Sequence, residues 1–250
     1  MNLLFWTIYI LLTLFIGSFL NVVALRIPKN ESIIYPPSHC PSCQHRLSVL
    51  DLIPVLSYIG LKGKCRYCRV KISPIYPLGE LLTLVLFFLI QFSFGFSKEL
   101  IIAYPFAMIM IAATLSDLKY QVIPNRITYF GIALFLILRF WIHPLSIWNY
   151  WIGAVLGGGL LLLIAILSRG GMGGGDIKLF FLIGLVLGWQ NTLLALFLST
   201  GIGAVIGGIL MLLGVVKQKQ LIPFGPFIFI GTMITYFLGN QIWQWYLGLY

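Results

Sequence analysis

The chain has 250 residues, of which 60% are hydrophobic and only 9% charged, and its mean hydropathy is +1.01. These values exclude an ordinary soluble domain, where about half the residues are apolar and about a quarter charged, so lipid is the solvent to reason with. The net charge of +10 would suit nucleic acid, but Lys and Arg in a membrane protein first report topology because they resist translocation; no nucleic-acid partner is expected.

A bilayer core about 30 Å thick requires roughly 20 mostly apolar residues per helix. Eight apolar segments recur, at about 3–24, 78–96, 100–117, 127–142, 148–167, 177–188, 191–216 and 224–247. The expected fold is an all-α polytopic membrane protein of about eight transmembrane helices: a first helix in 1–24, a cytoplasmic insert in 25–77 and a membrane core in 78–250. The first segment lacks the basic start and small-residue cleavage pattern of a secretory signal and reads as a retained anchor. Segment 177–188 is too short to cross alone at 1.5 Å per residue; it must be tilted, extended by its neighbours or sunk in protein. With the N-terminus outside, fourteen of the sixteen basic residues fall inside, eight of them in the first loop, and only Lys98 and Arg139 fall outside. That asymmetry places the long loop in the cytoplasm.

The insert holds all four cysteines, as Cys40-Pro-Ser-Cys43 and Cys65-Arg-Tyr-Cys68. Two such knuckles about twenty residues apart match a four-thiolate zinc site, each pair supplying two corners of a tetrahedron. An insert of about fifty residues builds little core, so one structural zinc would supply folding free energy that burial cannot. Two disulfides are the alternative, disfavoured in a reducing compartment. His39 and His45 are alternate ligands or solvated loop histidines. The adjacent Lys62, Lys64, Arg66, Arg69 and Lys71 would sit beside anionic lipid.

Six acidic residues remain to be weighed. Glu31 and Asp51 in the insert, and Glu99 in an outside turn, have solvation as their ordinary explanation. Asp117 closes the apolar run from Ile109, and Asp176 follows Gly170-Gly-Met-Gly-Gly-Gly175 just before another. Both fall at cytoplasmic helix ends. A carboxylate near the membrane centre costs roughly 2.5–3.5 kcal/mol on insertion scales, so each needs a partner, water or a job. One explanation is capping, with Asp176 as an N-cap favoured by the helix dipole. As a pair on one side they have what aspartic proteolysis requires: one carboxylate ionised to activate water, the other protonated to polarise the scissile carbonyl. The glycine run would admit a substrate backbone or simply form a flexible turn.

Gly17-Ser-Phe-Leu-Asn-Val-Val-Ala-Leu-Arg-Ile-Pro28, the two knuckles enclosing Asp51-Leu-Ile-Pro-Val-Leu-Ser-Tyr58, Tyr76-Pro-Leu-Gly-Glu80, Asp117 with Ile123-Pro-Asn125, Gly173-Gly-Gly-Asp176-Ile-Lys-Leu179 and Pro223-Phe-Gly-Pro226 follow one another along the chain. In that order they resemble the type IV prepilin peptidases, bacterial membrane aspartic proteases of the GxGD type. The resemblance implies that Asp117 and Asp176 are the catalytic aspartates, facing the cytoplasm from a bacterial inner membrane. It implies type IV prepilins or pseudopilins as substrates, in pilus or type II secretion systems, cut to release a short basic leader, usually after Gly and before Phe. Members with the cysteine insert often also methylate the new N-terminus using S-adenosylmethionine; no cofactor fingerprint locates that site, and the insert could equally serve substrate docking alone.

Glu80 is left outside the catalytic pair, either orienting it or acting as an interfacial carboxylate. Gly153-Ala-Val-Leu-Gly157 and Gly203-Ala-Val-Ile-Gly207 have the spacing for close helix packing. Trp189, Trp243, Trp245, Tyr246 and Tyr250 read as an outer aromatic belt, and Pro223 and Pro226 as a helix start near the active face. Two rival functions remain: a channel or transporter relaying ions through the aspartates, which lacks a polar path across the segments, and a zinc-bearing scaffold indifferent to both acids.

Overall fold

The computed structural model describes residues 3–168, 172–215 and 222–248. Arg169, Lys217 and Lys219, three of the fourteen basic residues expected inside, lie outside the described residues, as do Gly170, Gly171 and Tyr250. Each of the eight apolar segments is helical, and no β-strand occurs among the described residues, only two isolated bridges in the insert. Among the described residues, five helices are long and apolar enough to span a membrane: α1 (Leu3–Arg26) with the 3₁₀ turn that follows it, α3 (Ile75–Phe94), α4 (Leu100–Tyr120), α6 (Ile147–Leu167) and α8 (Trp189–Leu212). Between α1 and α3 runs the insert, which contains only the short α2 (Leu56–Gly60) and a 3₁₀ turn at Val49–Asp51. Of the others, α5 (Asn125–Trp141) and α7 (Gly174–Leu187) are shorter, while α9 (Gly225–Leu247) is long enough but more polar.

The chain divides into two compact units, one ending at Phe96 and the other beginning at Ser97. In the first, α1 lies against α3 at close range. A Cβ on Gly17 would meet the Glu80 Cα at 2.8 Å, so glycine is what lets the backbones approach. Tyr9 donates to the Phe87 carbonyl at 2.7 Å, and the Trp6 ring stacks on Phe88.

In the second unit α7 is the centre, packed by α5, α6 and α8. Its residues from Leu179 to Leu187 are buried apart from Phe181, so the short segment is indeed sunk in protein. Fourteen residues reach about 21 Å, and Gly188, at φ +76°, turns the chain directly into α8. The glycine pairs pack within the chain. A Cβ on Gly153 would meet the Gly184 carbonyl at 2.7 Å, one on Gly157 the Phe180 carbonyl at 2.6 Å, and one on Gly203 the Phe227 ring at 3.2 Å.

Candidate active site and cysteine cluster

Asp117 occupies the last turn of α4, at the end of a run buried from Ile109 onward, and is itself only 5% exposed. Its Oδ2 accepts the Gly225 backbone N–H at 2.7 Å. Gly225 opens α9, so this N–H belongs to the first turn, where no intrahelical partner exists. A Cβ on Gly225 would lie 2.7 Å from that oxygen, and only glycine leaves the carboxylate room. Pro226 follows at the first positions of α9, so the Pro223–Pro226 motif does mark a helix start and supplies a hydrogen bond to Asp117.

Asp176 is the third residue of α7 and half-buried. The capping position belongs to Gly173, which corrects the expectation of an Asp176 N-cap: Asp176 stands in the first turn, where the helix dipole favours negative charge, and its carboxylate reaches back to accept the Gly173 backbone N–H. Its neighbour Gly175 packs on Ile123, in the connection that follows Asp117 at the end of α4.

The α4–α5 connection holds these helix ends in register. Ser116 Oγ donates to the Val122 carbonyl at 2.7 Å, and Gln121 adopts a left-handed φ of +54°. A Cβ on Gly175 would meet Ile123 Cβ at 2.8 Å, and Lys178 donates to Asn125 Oδ1 at 2.7 Å. The Ile123-Pro-Asn125 motif thus seats the start of α7 beside the end of α4. Composition gave no sign of Gly225, Ser116 or Lys178 as neighbours of the acids; only the ordered motifs pointed toward them.

The four cysteines come together: one ligand atom from each lies within 4.8 Å of the rest, Cys40 Sγ and Cys68 Sγ are 3.8 Å apart, and all four are free. A tetrahedron with metal–sulfur bonds near 2.3 Å has edges of about 3.8 Å, so the donor set fits a metal ion. At Cys40 burial opposes ionisation, but the backbone N–H groups of Cys43 and Ser42 outweigh it and bring the thiol down to about 7. At Cys68 the Val70 N–H favours thiolate, yet desolvation and the neighbouring sulfurs push it up to about 11. Thiols crowded this way need a cation before all can ionise. His39 bonds the Pro37 carbonyl and His45 lies against Tyr67; neither joins the cluster.

Three other acids differ from their sequence reading. The Asp51 side chain is 4% exposed, accepts from Ser48 Oγ at 2.7 Å and pairs with Arg66 at 2.6 Å. Burial opposes its charge, but the Ser48 and Arg66 bonds win and hold the carboxyl below its ordinary range. Glu80 is buried and accepts the Val55 N–H at 2.7 Å, fixing a β-branched residue at φ +62°, a left-handed conformation it rarely adopts. Glu99 is no solvated turn residue: it makes a two-bond ion pair with Arg139, which is 4% exposed, and accepts from the Tyr236 hydroxyl at 3.0 Å.

The helices are those of a membrane protein, and two acids, Asp117 and Asp176, lie at their ends. Comparison with known proteins narrows the class. Residues 11–94 match the Bacterial Peptidase A24 N-terminal domain and residues 104–208 the Type IV leader peptidase family. Among relatives, a prepilin leader peptidase/N-methyltransferase of Bacillus subtilis is 40% identical, covering 94% of this chain and 95% of its own. Proteins of the same name from Aeromonas salmonicida and Aeromonas hydrophila are each 33% identical, covering 98% of this chain and 94% of theirs. No solved structure matches. The chain belongs to the type IV leader peptidase family and is a membrane-embedded protease.

Proposed function

We propose that the protein is an intramembrane aspartic endopeptidase that removes the short basic leader from type IV prepilins or pseudopilins at the cytoplasmic face of a bacterial inner membrane. The observation that carries this reading is the seating of the start of α7, which bears Asp176, against the connection that follows Asp117, through Gly175 on Ile123 and Lys178 on Asn125. The relatives' names give the substrate class. A prepilin has a polar leader in the cytosol and an apolar helix behind it, so its scissile bond would lie where these helix ends meet the inner interface. Eight spans with the N-terminus outside put both acids there, with 1–24 as first helix, 25–77 as insert and 78–250 as peptidase core.

Mechanistically, one carboxylate takes a proton from water as the oxygen attacks the scissile carbonyl, while the other, protonated, hydrogen-bonds the carbonyl oxygen. Collapse of the tetrahedral intermediate breaks the C–N bond, and the leaving amine takes up a proton. The Gly225 N–H fixes one oxygen of Asp117, leaving the other for water or substrate. Asp117→Asn or Asp176→Asn is expected to abolish leader removal, read by mass measurement of a co-expressed prepilin, while the protein stays folded in the membrane. Near-normal processing by either variant would sink the assignment.

Cys40, Cys43, Cys65 and Cys68 would hold one zinc, which supplies folding free energy to the insert. Metal analysis of purified protein is expected to give one zinc per chain, and none in Cys40→Ser, whose insert becomes sensitive to protease. The relatives' names also support N-methylation of the new N-terminus with S-adenosylmethionine as donor. The same prepilin mass measurement reads it, as a gain of one methyl group.

A further inference from the structure

We propose that Lys62, Lys64 and Lys71 form a binding site for the phosphate of an anionic phospholipid headgroup, which seats the cysteine insert on the bilayer surface. These lysines line one cleft of about 440 Å³ together with Tyr58, Ser73 and Pro74, and no acidic residue lines it. All three are exposed, and none has an ion-pair partner among the described residues.

Their placement is built by the backbone. Lys64 and Lys71 face each other across an antiparallel bridge, secured by the Ile72 N–H on the Gly63 carbonyl at 2.8 Å and the Cys65 N–H on the Val70 carbonyl at 2.9 Å. Like charges directly opposite on such a ladder are destabilising, so the arrangement costs stability unless an anion sits between them. Lys62 and Gly63, at φ +53° and +67°, turn the chain so that a third ammonium joins the same cleft. The opposed pair brackets Cys65 and Cys68, so a metal in the knuckle would stiffen the bridge that presents it.

A lipid phosphate suits the cleft better than a free one for two reasons. Pro74 immediately precedes α3, a membrane-length helix, so the cleft sits where the chain enters the bilayer. Leu56 and Ile59, on the same short helix as Tyr58, are 65% and 66% exposed, and acyl chains would cover them. A basic leader, by contrast, would be repelled.

The test uses the full-length, metal-loaded chain. Reactivity of individual lysines toward an acetylating reagent is measured by mass spectrometry in nanodiscs of phosphatidylcholine alone and in nanodiscs containing phosphatidylglycerol, with Lys98 and Lys119 as references. Phosphatidylglycerol is expected to protect Lys62, Lys64 and Lys71 severalfold relative to the references. In detergent, native mass spectrometry is expected to show one tightly held phosphatidylglycerol, whose affinity falls about fivefold for each lysine changed to Gln, with zinc content unchanged in Lys62→Gln/Lys64→Gln/Lys71→Gln. Equal reactivity in the two nanodiscs, or unaltered lipid retention by the triple variant, would overturn the proposal. So would equal protection in detergent by inorganic phosphate alone, since the ligand would then be a free anion.

Discussion

The helical unit that begins at Ser97 has a charged cluster at each end, and the two are built on opposite principles. At one end Arg139, Glu99, Tyr236 and Tyr150 are paired: both Glu99 oxygens accept from the guanidinium, one also from Tyr236, and the guanidinium lies 4.7 Å over the Tyr150 ring and donates to the Val186 and Ile142 carbonyls. At the other end, about 27 Å away along α4, Asp117 and Asp176 have no cation paired to either among the described residues and accept backbone N–H groups from Gly225 and Gly173 instead. Charge that is neutralised ties α4, α5, α7 and α9 together. Carboxylates without a counter-ion are what the proposed reaction would use.

The comparison can be broken most directly at the acid pair. If that end performs the reaction, Asp117→Asn or Asp176→Asn lowers the rate of leader cleavage by about a thousandfold or more, with no loss of thermal stability in detergent. The other end should answer in the reverse way. Arg139→Ala leaves the half-buried Glu99 without its cation, and is expected to lower unfolding free energy by about 3 kcal/mol at most, read by thermal or detergent unfolding. The double variant Arg139→Met/Glu99→Gln should recover much of that loss, and cleavage per folded molecule should stay close to the parent's. A cleavage defect in the double variant equal to that of the aspartate variants would erase the distinction.

Gly225→Ala sharpens the contrast, because its Cβ would push on the Asp117 carboxylate itself. An Asp117 displaced by a fraction of an ångström should cost about a hundredfold in activity, with only a modest change in melting temperature. The smallest effect lies in the insert. Because the Asp51 carboxyl is held below its ordinary range, its contribution is present above the unfolded value near 4 and disappears as pH falls through the lower folded value. With Arg66 substantially exposed, it amounts to about 1 kcal/mol at most. Asp51→Asn should therefore lower insert stability at pH 7 and flatten its decline toward acid, measured by protease resistance of the insert.

Much of this molecule could be read in advance from the chain. Lipid-length apolar runs fix helices, because an unpaired backbone group in hydrocarbon is too costly for any open alternative, and each of the eight runs is a helix. The cysteine spacing announced a metal-sized cluster because two short knuckles leave four thiols few other arrangements. Asp117 and Asp176 stood out because so few acids interrupt the apolar sequence.

What the chain alone left undecided depends on partners distant in sequence. Nothing local to Glu99 or Arg139 says that residues forty apart will bury each other's charge, nor does the sequence near Asp117 reveal that a glycine 108 positions on will donate its N–H. Asp176 could be the N-cap residue or not by its neighbours; the fold decides, by giving the cap position to Gly173 and setting the acid in the first turn, reaching back to the Gly173 N–H. Burial and pairing are properties of where helices end in space, and those ends are set by glycine contacts between helices that no single stretch of the chain contains.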